Sequence, residues 1–399
     1  MRHWIFILLL SMGFTAHSVF AQWTKSFAVN TSYDDNAFRN YAGLSDYATQ
    51  ISAYLAKDFG EENWQSRLFY RGSFDIFAQY DERNYHYHQV GAAWSRLLND
   101  RENTLNLGIN GKLRSNRSAY NYYNFTEAAG YGNFKFKFGY STAVNLGYKI
   151  RSRWYSNIPD LSYIEHDFFV RYTHFFATRT TFMIAGEYGR KQYQEQITED
   201  NLAQWNMDDY GSHRGGMGHM WNGGWFNNIN STSVKPSVGQ WLGQIRLAQS
   251  LTSSTGLSTD FMLRRNPGDG VRYLAGQVSG YTTEDELFDD PYGYESEEFG
   301  ATLTQLLPWE LAFKAGVESK WKDYDNRPAL DLNGETLPSG ELRADRQVVT
   351  WLRLSKSFNL PGGKSALLIA EFYWMDNQSN DLYYDFQVTL LSLGIATSL

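Results

Sequence analysis

Between Trp64 and Tyr80 the chain sorts its side chains into two unlike faces with a period of two. Trp64, Leu68, Tyr70, Phe74, Ile76, Ala78 and Tyr80 share one parity, and Gln65, Arg67, Arg71, Ser73, Asp75 and Gln79 share the other. A period of two is the signature of a strand with two unlike faces. The run far exceeds the ~5–6 residues usual for a soluble strand, its apolar face carries aromatics at both ends, and the pattern recurs along the chain. Such a strand suits a tilted membrane crossing, with apolar side chains toward lipid, polar ones toward a lumen, and Tyr or Trp at the headgroups.

The N-terminus opens Met1-Arg2-His3, continues through an apolar segment from Trp4 to Phe14 and reaches Val19-Phe20-Ala21 before Gln22. This pattern predicts a signal peptide over residues 1–21 and an outer-membrane β-barrel domain over 22–399. The apolar segment is shorter than the ~20 residues a spanning helix needs. No cysteine occurs anywhere in the 399 residues, so the leader is not of the lipoprotein kind and disulfide or thiolate chemistry is absent. After residue 22 nothing reaches the ~18 consecutive apolar residues of a transmembrane helix, so a membrane-embedded chain of this sequence has to be a barrel. The net charge is −7 with no basic tail, which gives no reason to expect a nucleic-acid partner.

Alternation and its interruptions predict sixteen strands, at 23–33, 44–59, 64–80, 85–98, 103–114, 120–138, 142–155, 163–177, 180–190, 239–251, 256–266, 296–307, 310–324, 344–358, 365–376 and 382–399. Tight turns such as Gly139-Tyr140-Ser141, Thr178-Arg179 and Pro308-Trp309 alternate with a second set of connections that includes three long ones, 191–238, 267–295 and 325–343. Short turns on one side and long loops on the other are expected of a bacterial outer-membrane barrel. The fold class is therefore all-β, a transmembrane up-and-down antiparallel β-barrel of about 16 strands. Segment 85–98 is less regular, because His86, His88, Val90, Ala92, Trp94 and Arg96 share a face, and a bulge or a shifted boundary is expected there. A soluble sandwich would show turn signals every ~8–12 residues, and that rhythm is missing.

The chain ends inside a strand whose apolar face holds Leu391, Leu393, Ile395 and Leu399. This resembles the last strand that the barrel assembly machinery reads, although Leu399 stands where an aromatic residue is usual. At the first strand, Asn30-Thr31-Ser32-Tyr33-Asp34-Asp35-Asn36-Ala37-Phe38-Arg39-Asn40 resembles the opening of a β-barrel porin family, some of whose members are associated with polysaccharide export. The resemblance implies a porin-like fold and carries no catalytic residue. The same Asp-Asp-Asn corner is also ordinary turn chemistry.

No nucleophile elbow, His-Glu-x-x-His helix, phosphate loop or metal-ligand spacing occurs, so the chain is read as a non-enzyme, with neither cofactor nor metal implied. The candidate pore-lining residues are Arg67, Arg71, Asp75, Lys112, Arg114, Lys149, Arg151 and Arg153, with Lys135, Lys137, Glu127, Glu165 and Asp167 on the same faces. Charge this dense is costly toward lipid and belongs inside, either as a salt-bridged wall or as a basic ladder along an aqueous path. In the 191–238 loop, Asp208, Asp209, His213, His219, Trp221, Trp225 and Phe226 lie among many glycines. The loop could fold inward as a constriction, stack a sugar or cover the mouth. The sequence thus points to a porin-like channel for small hydrophilic solutes or saccharides, embedded in outer-membrane lipid and linked to polysaccharide export only through what the family resemblance implies. The alternative is a non-conducting structural or surface-binding barrel plugged by its own loop, with an outer-membrane hydrolase as the third reading.

Overall fold

The structure, a computed structural model, describes residues 20–98, 103–194, 229–231, 237–267, 271–274, 285–332 and 335–398. Sixteen strands close into one antiparallel barrel in chain order. They are β1 (Phe20–Asp34), β2 (Asp46–Glu61), β3 (Trp64–Phe77), β4 (Tyr85–Leu97), β5 (Thr104–Asn116), β6 (Phe125–Phe138), β7 (Thr142–Tyr155) and β8 (Tyr163–Phe175), followed by β9 (Thr180–Tyr193), β10 (Ser237–Ser250), β11 (Thr255–Arg265), β12 (Tyr294–Leu307), β13 (Leu311–Pro328), β14 (Leu342–Leu360), β15 (Lys364–Ser379) and β16 (Phe386–Ser398). The seam is formed by β1 and β16, from Ser26 opposite Ser398 to Asp34 opposite Leu390. A two-stranded ribbon, Ile229–Ser231 with Arg272–Leu274, lies outside the barrel sheet.

Alternation decides which side chain meets which medium. On β3, Leu68 and Phe74 are 50% and 55% exposed on the outer face, while Ser73 and Phe77 of the opposite parity are buried inside. The same holds on β5 for Leu107, Ile109 and Leu113 outside against Lys112 and Arg114 inside. The outer apolar band is exposed only because lipid is its proper neighbour. At the turn end, Trp23, Phe138, Tyr140 and Trp309 form an exposed aromatic fringe, and Lys57 reaches down over the Trp23 and Phe59 rings at 5.3 and 4.9 Å, a snorkelling cation at the headgroup level. The turn at Gly362-Gly363 needs left-handed backbone at both residues, with φ of 79° and 74°, which glycine alone adopts without penalty.

Several strand limits differ from the sequence reading, and two of them have a clear local reason. β3 stops at Phe77 rather than Tyr80 because the buried Asp46 carboxylate accepts the backbone N–H groups of Gln79 at 2.9 Å and Tyr80 at 3.3 Å and turns the chain inward. Residues 118–123 form helical turns rather than the start of β6, and Tyr120, Tyr122 and Tyr123 are buried. No bulge occurs in β4, whose register runs unbroken against β3 and β5. His86 and His88 share the outer face with Tyr70 and Phe74, and Tyr70 Oη lies 2.8 Å from His88 Nδ1. The register irregularity lies instead between Asp323 and Pro328, where β13 meets β14.

The barrel has a core at its loop end. Tyr155, Tyr163, Phe125 and Tyr193, all pointing inward from strand termini, pack with Phe38, Tyr123, Ile158, Leu161, Leu287 and Phe288 from the inter-strand connections. The mouth on the loop side is thus filled by apolar side chains, whereas the wall below it is polar. An outward Ile245→Lys change in the middle of β10 is expected to lower stability by about 2–4 kcal/mol in lipid vesicles, while the inward neighbour Gln244→Lys leaves it nearly unchanged. Denaturant titration of the two variants in the same vesicles checks this, and equal losses would contradict the assigned faces.

Candidate functional site: the charged inner wall and the segment docked on it

The inward faces of β5 to β9 place opposite charges across from one another because antiparallel register pairs them directly. Lys112 stands opposite Glu127, Glu127 opposite Arg153, Arg151 opposite Glu165 and Glu165 opposite Lys191. The side chains meet accordingly. Lys112 Nζ lies 2.6 Å from Glu127 Oε1, Arg153 Nη2 2.6 Å from Glu127 Oε2, and Arg151 Nε donates to Glu165 Oε2 at 2.6 Å. Arg153 also lies over the Phe125 ring at 4.3 Å, and the buried Arg114 lies 4.0 Å over Tyr85.

Onto this wall docks the end of the β11–β12 connection, residues 285–293. Glu286 accepts from Arg151 Nη1 at 2.8 Å, from Arg153 Nη1 at 2.7 Å and from the Tyr163 hydroxyl at 2.7 Å. Asp290 pairs with Lys191 at 2.5 Å, Asp289 with Lys322 at 2.6 Å and also with the Tyr324 hydroxyl, and Arg327 donates to the Phe288 carbonyl. The Tyr292 hydroxyl donates to Glu165 Oε1 at 2.8 Å. Burial opposes ionisation of Glu286, but the guanidiniums of Arg153 and Arg151 outweigh it and hold the carboxyl well below the ordinary range. Asp289 is likewise depressed, burial being overcome by Lys322 and Arg343. At Asp290 burial prevails over Lys191 and the carboxyl is raised. Beside the docked segment is a cavity of about 190 Å³ lined by Asp167, Glu187, Arg264 and Tyr292 among others.

The eight residues proposed from sequence to line a pore all have inward parity, but they fall into two groups. Lys112, Arg114, Arg151 and Arg153 belong to the wall at the loop end. Further toward the turn end, Arg67 pairs with Asp58 at 2.6 Å while half exposed and Lys149 approaches Glu187 at 3.4 Å, whereas Asp75, near the loop end of β3, accepts from Gln50 Nε2 at 2.7 Å. Arg71 is exposed and lies over the Tyr54 ring at 5.7 Å. Arg71, Arg171 and Lys314 carry no ion pair among the described residues. Asp208, Asp209, His213, His219, Trp221, Trp225 and Phe226 lie outside the described residues. Sequence reading passed over Lys191, Glu286, Asp289, Asp290, Lys322 and Arg343. The available signal was the acidic run Glu284-Asp285-Glu286 and Asp289-Asp290 in a loop of a chain whose strands carry a basic ladder.

Neither a family model nor a curated protein matches the sequence. Among solved structures, the chain is similar to OccAB1 of Acinetobacter baumannii, with 10% identity, 95% of this chain and 97% of that chain covered, and a TM-score of 0.52. It is similar in the same way to OpdQ of Pseudomonas aeruginosa, at 10% identity, 95% and 98% coverage and a TM-score of 0.50. The fold is that of the outer-membrane porins. Identity this low transfers no residue role, and the porin likeness brings no link to polysaccharide export. The Asn30–Asn40 segment that suggested one is a structural corner here. Asp34 pairs with Arg39, and Asn36 Nδ2 donates to the Asn40 carbonyl at 2.7 Å and to the Gln387 carbonyl at 3.1 Å, tying the first strand to the last.

Because the Glu286 carboxyl is depressed relative to an unfolded chain, its contribution to docking is complete above the ordinary glutamate value of ~4.3 and is lost only as pH falls through the lower folded value. Amide-exchange protection over Leu287–Tyr292 is therefore expected to persist from neutral pH down to about that value. Glu286→Gln should lessen this protection at neutral pH, weakening docking by about 1.5–3 kcal/mol, since the segment loses its charged hydrogen bonds to Arg151 and Arg153 while both guanidiniums keep their wall carboxylates, Glu165 and Glu127. Exchange measured by mass spectrometry on the two proteins decides the point.

Proposed function

We propose that the barrel is a passive channel of the outer membrane for small hydrophilic solutes, anionic ones passing more readily, with the docked 285–293 segment narrowing the lumen. The supporting observation is that Arg71, Arg171 and Lys314 point inward from a closed sheet and yet are exposed and carry no ion pair among the described residues. Unpaired cations at that position require water around them, and an aqueous path lined by fixed positive charge concentrates anions. The buried ion pairs at the loop end fit the salt-bridged wall, and the exposed inward cations fit the ladder. Saccharides fit the same path as neutral hydrophilic solutes. Export through a leader at residues 1–21 and insertion by the barrel assembly machinery belong to this reading, and no catalytic step does.

A second reading, a barrel closed by its own connections, is favoured by the apolar cluster in which Ile158 and Phe288 are completely buried at the loop-side mouth. The loop residues Asp208, Asp209, His213, His219, Trp221, Trp225 and Phe226 would add to such a plug. Planar-bilayer recording separates the readings, because steady unitary steps are expected of the channel and silence of folded protein would sink it. Charge reversal of Arg71, Arg171 and Lys314 to glutamate is expected to move the reversal potential in a salt gradient toward cation preference. The same reversal at Arg153 should instead impair folding, because that side chain is buried against Glu127 and Glu286.

A further inference from the structure

Tyr292 reaches the wall at Gly189, the glycine of β9 that faces inward. A Cβ built on Gly189 would overlap the Tyr292 hydroxyl and stand 2.9 Å from Asp167 Oδ1 and 3.1 Å from Tyr292 Cζ. The phenol therefore occupies the space that any other residue at position 189 would fill. Gly189 lies opposite Asp167 in the ladder. The hydroxyl that rests there donates to Glu165 at 2.8 Å and comes within 3.4 Å of Asp167 Oδ1. The backbone that carries the ring is held as well, since Asn266 Nδ2 donates to the Tyr292 carbonyl at 3.0 Å and Gln240 Nε2 to the adjacent Pro291 carbonyl at 2.5 Å.

What the phenol covers is acidic. Glu165 is shared with Arg151, but Asp167 has no ion pair among the described residues, and Glu187 lines the same cavity. Removal of the ring would open these carboxylates to the lumen at the level where the docked segment narrows it, and would oppose the positive charge of the ladder. We propose that Tyr292, seated on Gly189, is a selectivity-determining residue: it covers the Glu165 and Asp167 carboxylates so that passing solutes meet the basic part of the wall. Gly189 is the positioning residue that makes the seat. The proposal deepens the channel reading and rests on it for its consequence, though not for its geometry.

Two measurements test it. In planar bilayers, Tyr292→Ala and Gly189→Ala are each expected to shift the reversal potential toward cations, Asp167→Asn added to Tyr292→Ala is expected to reverse the shift, and Gly189→Ala should add nothing once the ring is gone. A larger conductance with unchanged ion preference in Tyr292→Ala would overturn the proposal, as would a further effect of Gly189→Ala in that background. The second measurement does not depend on conduction. Since the chain has no cysteine, Asp167→Cys provides a single thiol, and a small cationic thiol reagent should label it faster when Tyr292→Ala is also present. Equal labelling rates in folded, heat-modifiable protein would overturn the cover. If the wild-type barrel is silent while labelling accelerates, the channel reading fails and the cover stands.

Discussion

Everything in this molecule depends on the satisfaction of backbone hydrogen bonds in a medium that offers none. A strand in hydrocarbon cannot leave an edge unpaired, so the sheet has to close on itself. The β1–β16 seam meets that demand, and the corner after β1 reinforces it: Asp35 Oδ1 accepts the Thr389 N–H at 2.6 Å and the Asp35 N–H donates to the Thr389 carbonyl at 3.1 Å. Closure then fixes the side chains, because a continuous ladder gives every residue one of two faces. The outer face is apolar by necessity. The inner face is released from that necessity, and this is where the sequence places its charge.

Once charges are enclosed, their cost depends on how much water they keep. At the loop end, connections fold in and exclude water, so charged groups there survive only in pairs or over aromatic faces. Arg343 is an example, pairing with Asp345 through Nε at 2.9 Å while lying 3.6 Å over Tyr384 and 4.5 Å over Tyr324. Such pairs add little net stability, but the loss of one member is costly. They act chiefly by fixing a geometry, and here the geometry they fix is that of residues 285–293. Leu287 and Phe288 supply the apolar contact of that segment, and Glu286, Asp289 and Asp290 fix its position against Arg153, Lys322 and Lys191.

The sequence was most legible where the fold is local. The limits of β7, Thr142–Tyr155, follow from alternation and from the Gly139 turn, whose φ of 66° suits glycine. Alternation also sorted Arg114 and Arg153 to the inner face without any tertiary information. It misled at 120–123, where three tyrosines in four residues look like strand but are drawn into the mouth of the barrel by the aromatic cluster. It misled again at His86 and His88, where ring contacts with Tyr70 and Phe74 replace the expected bulge. The docking of Glu286 on Arg153 joins residues 133 apart in the chain, and no local period encodes such a contact. Only the complementary sign of the two segments hinted at it.

The same reasoning explains why one inner surface carries two kinds of cation. Arg153 and Lys191 lie under the docked segment, where an unpaired charge would face the full desolvation cost, so each is matched to a carboxylate. Arg171 and Lys314 lie toward the turn end, away from the folded-in connections, and water solvates them. A buried pair is neutral at a distance, while a solvated fixed cation projects its field across the lumen, screened over roughly 8 Å at physiological salt. The ionic preference of the proposed path is therefore set by the exposed cations and by any wall carboxylate left uncovered. The paired residues, though more numerous at the loop end, contribute its shape.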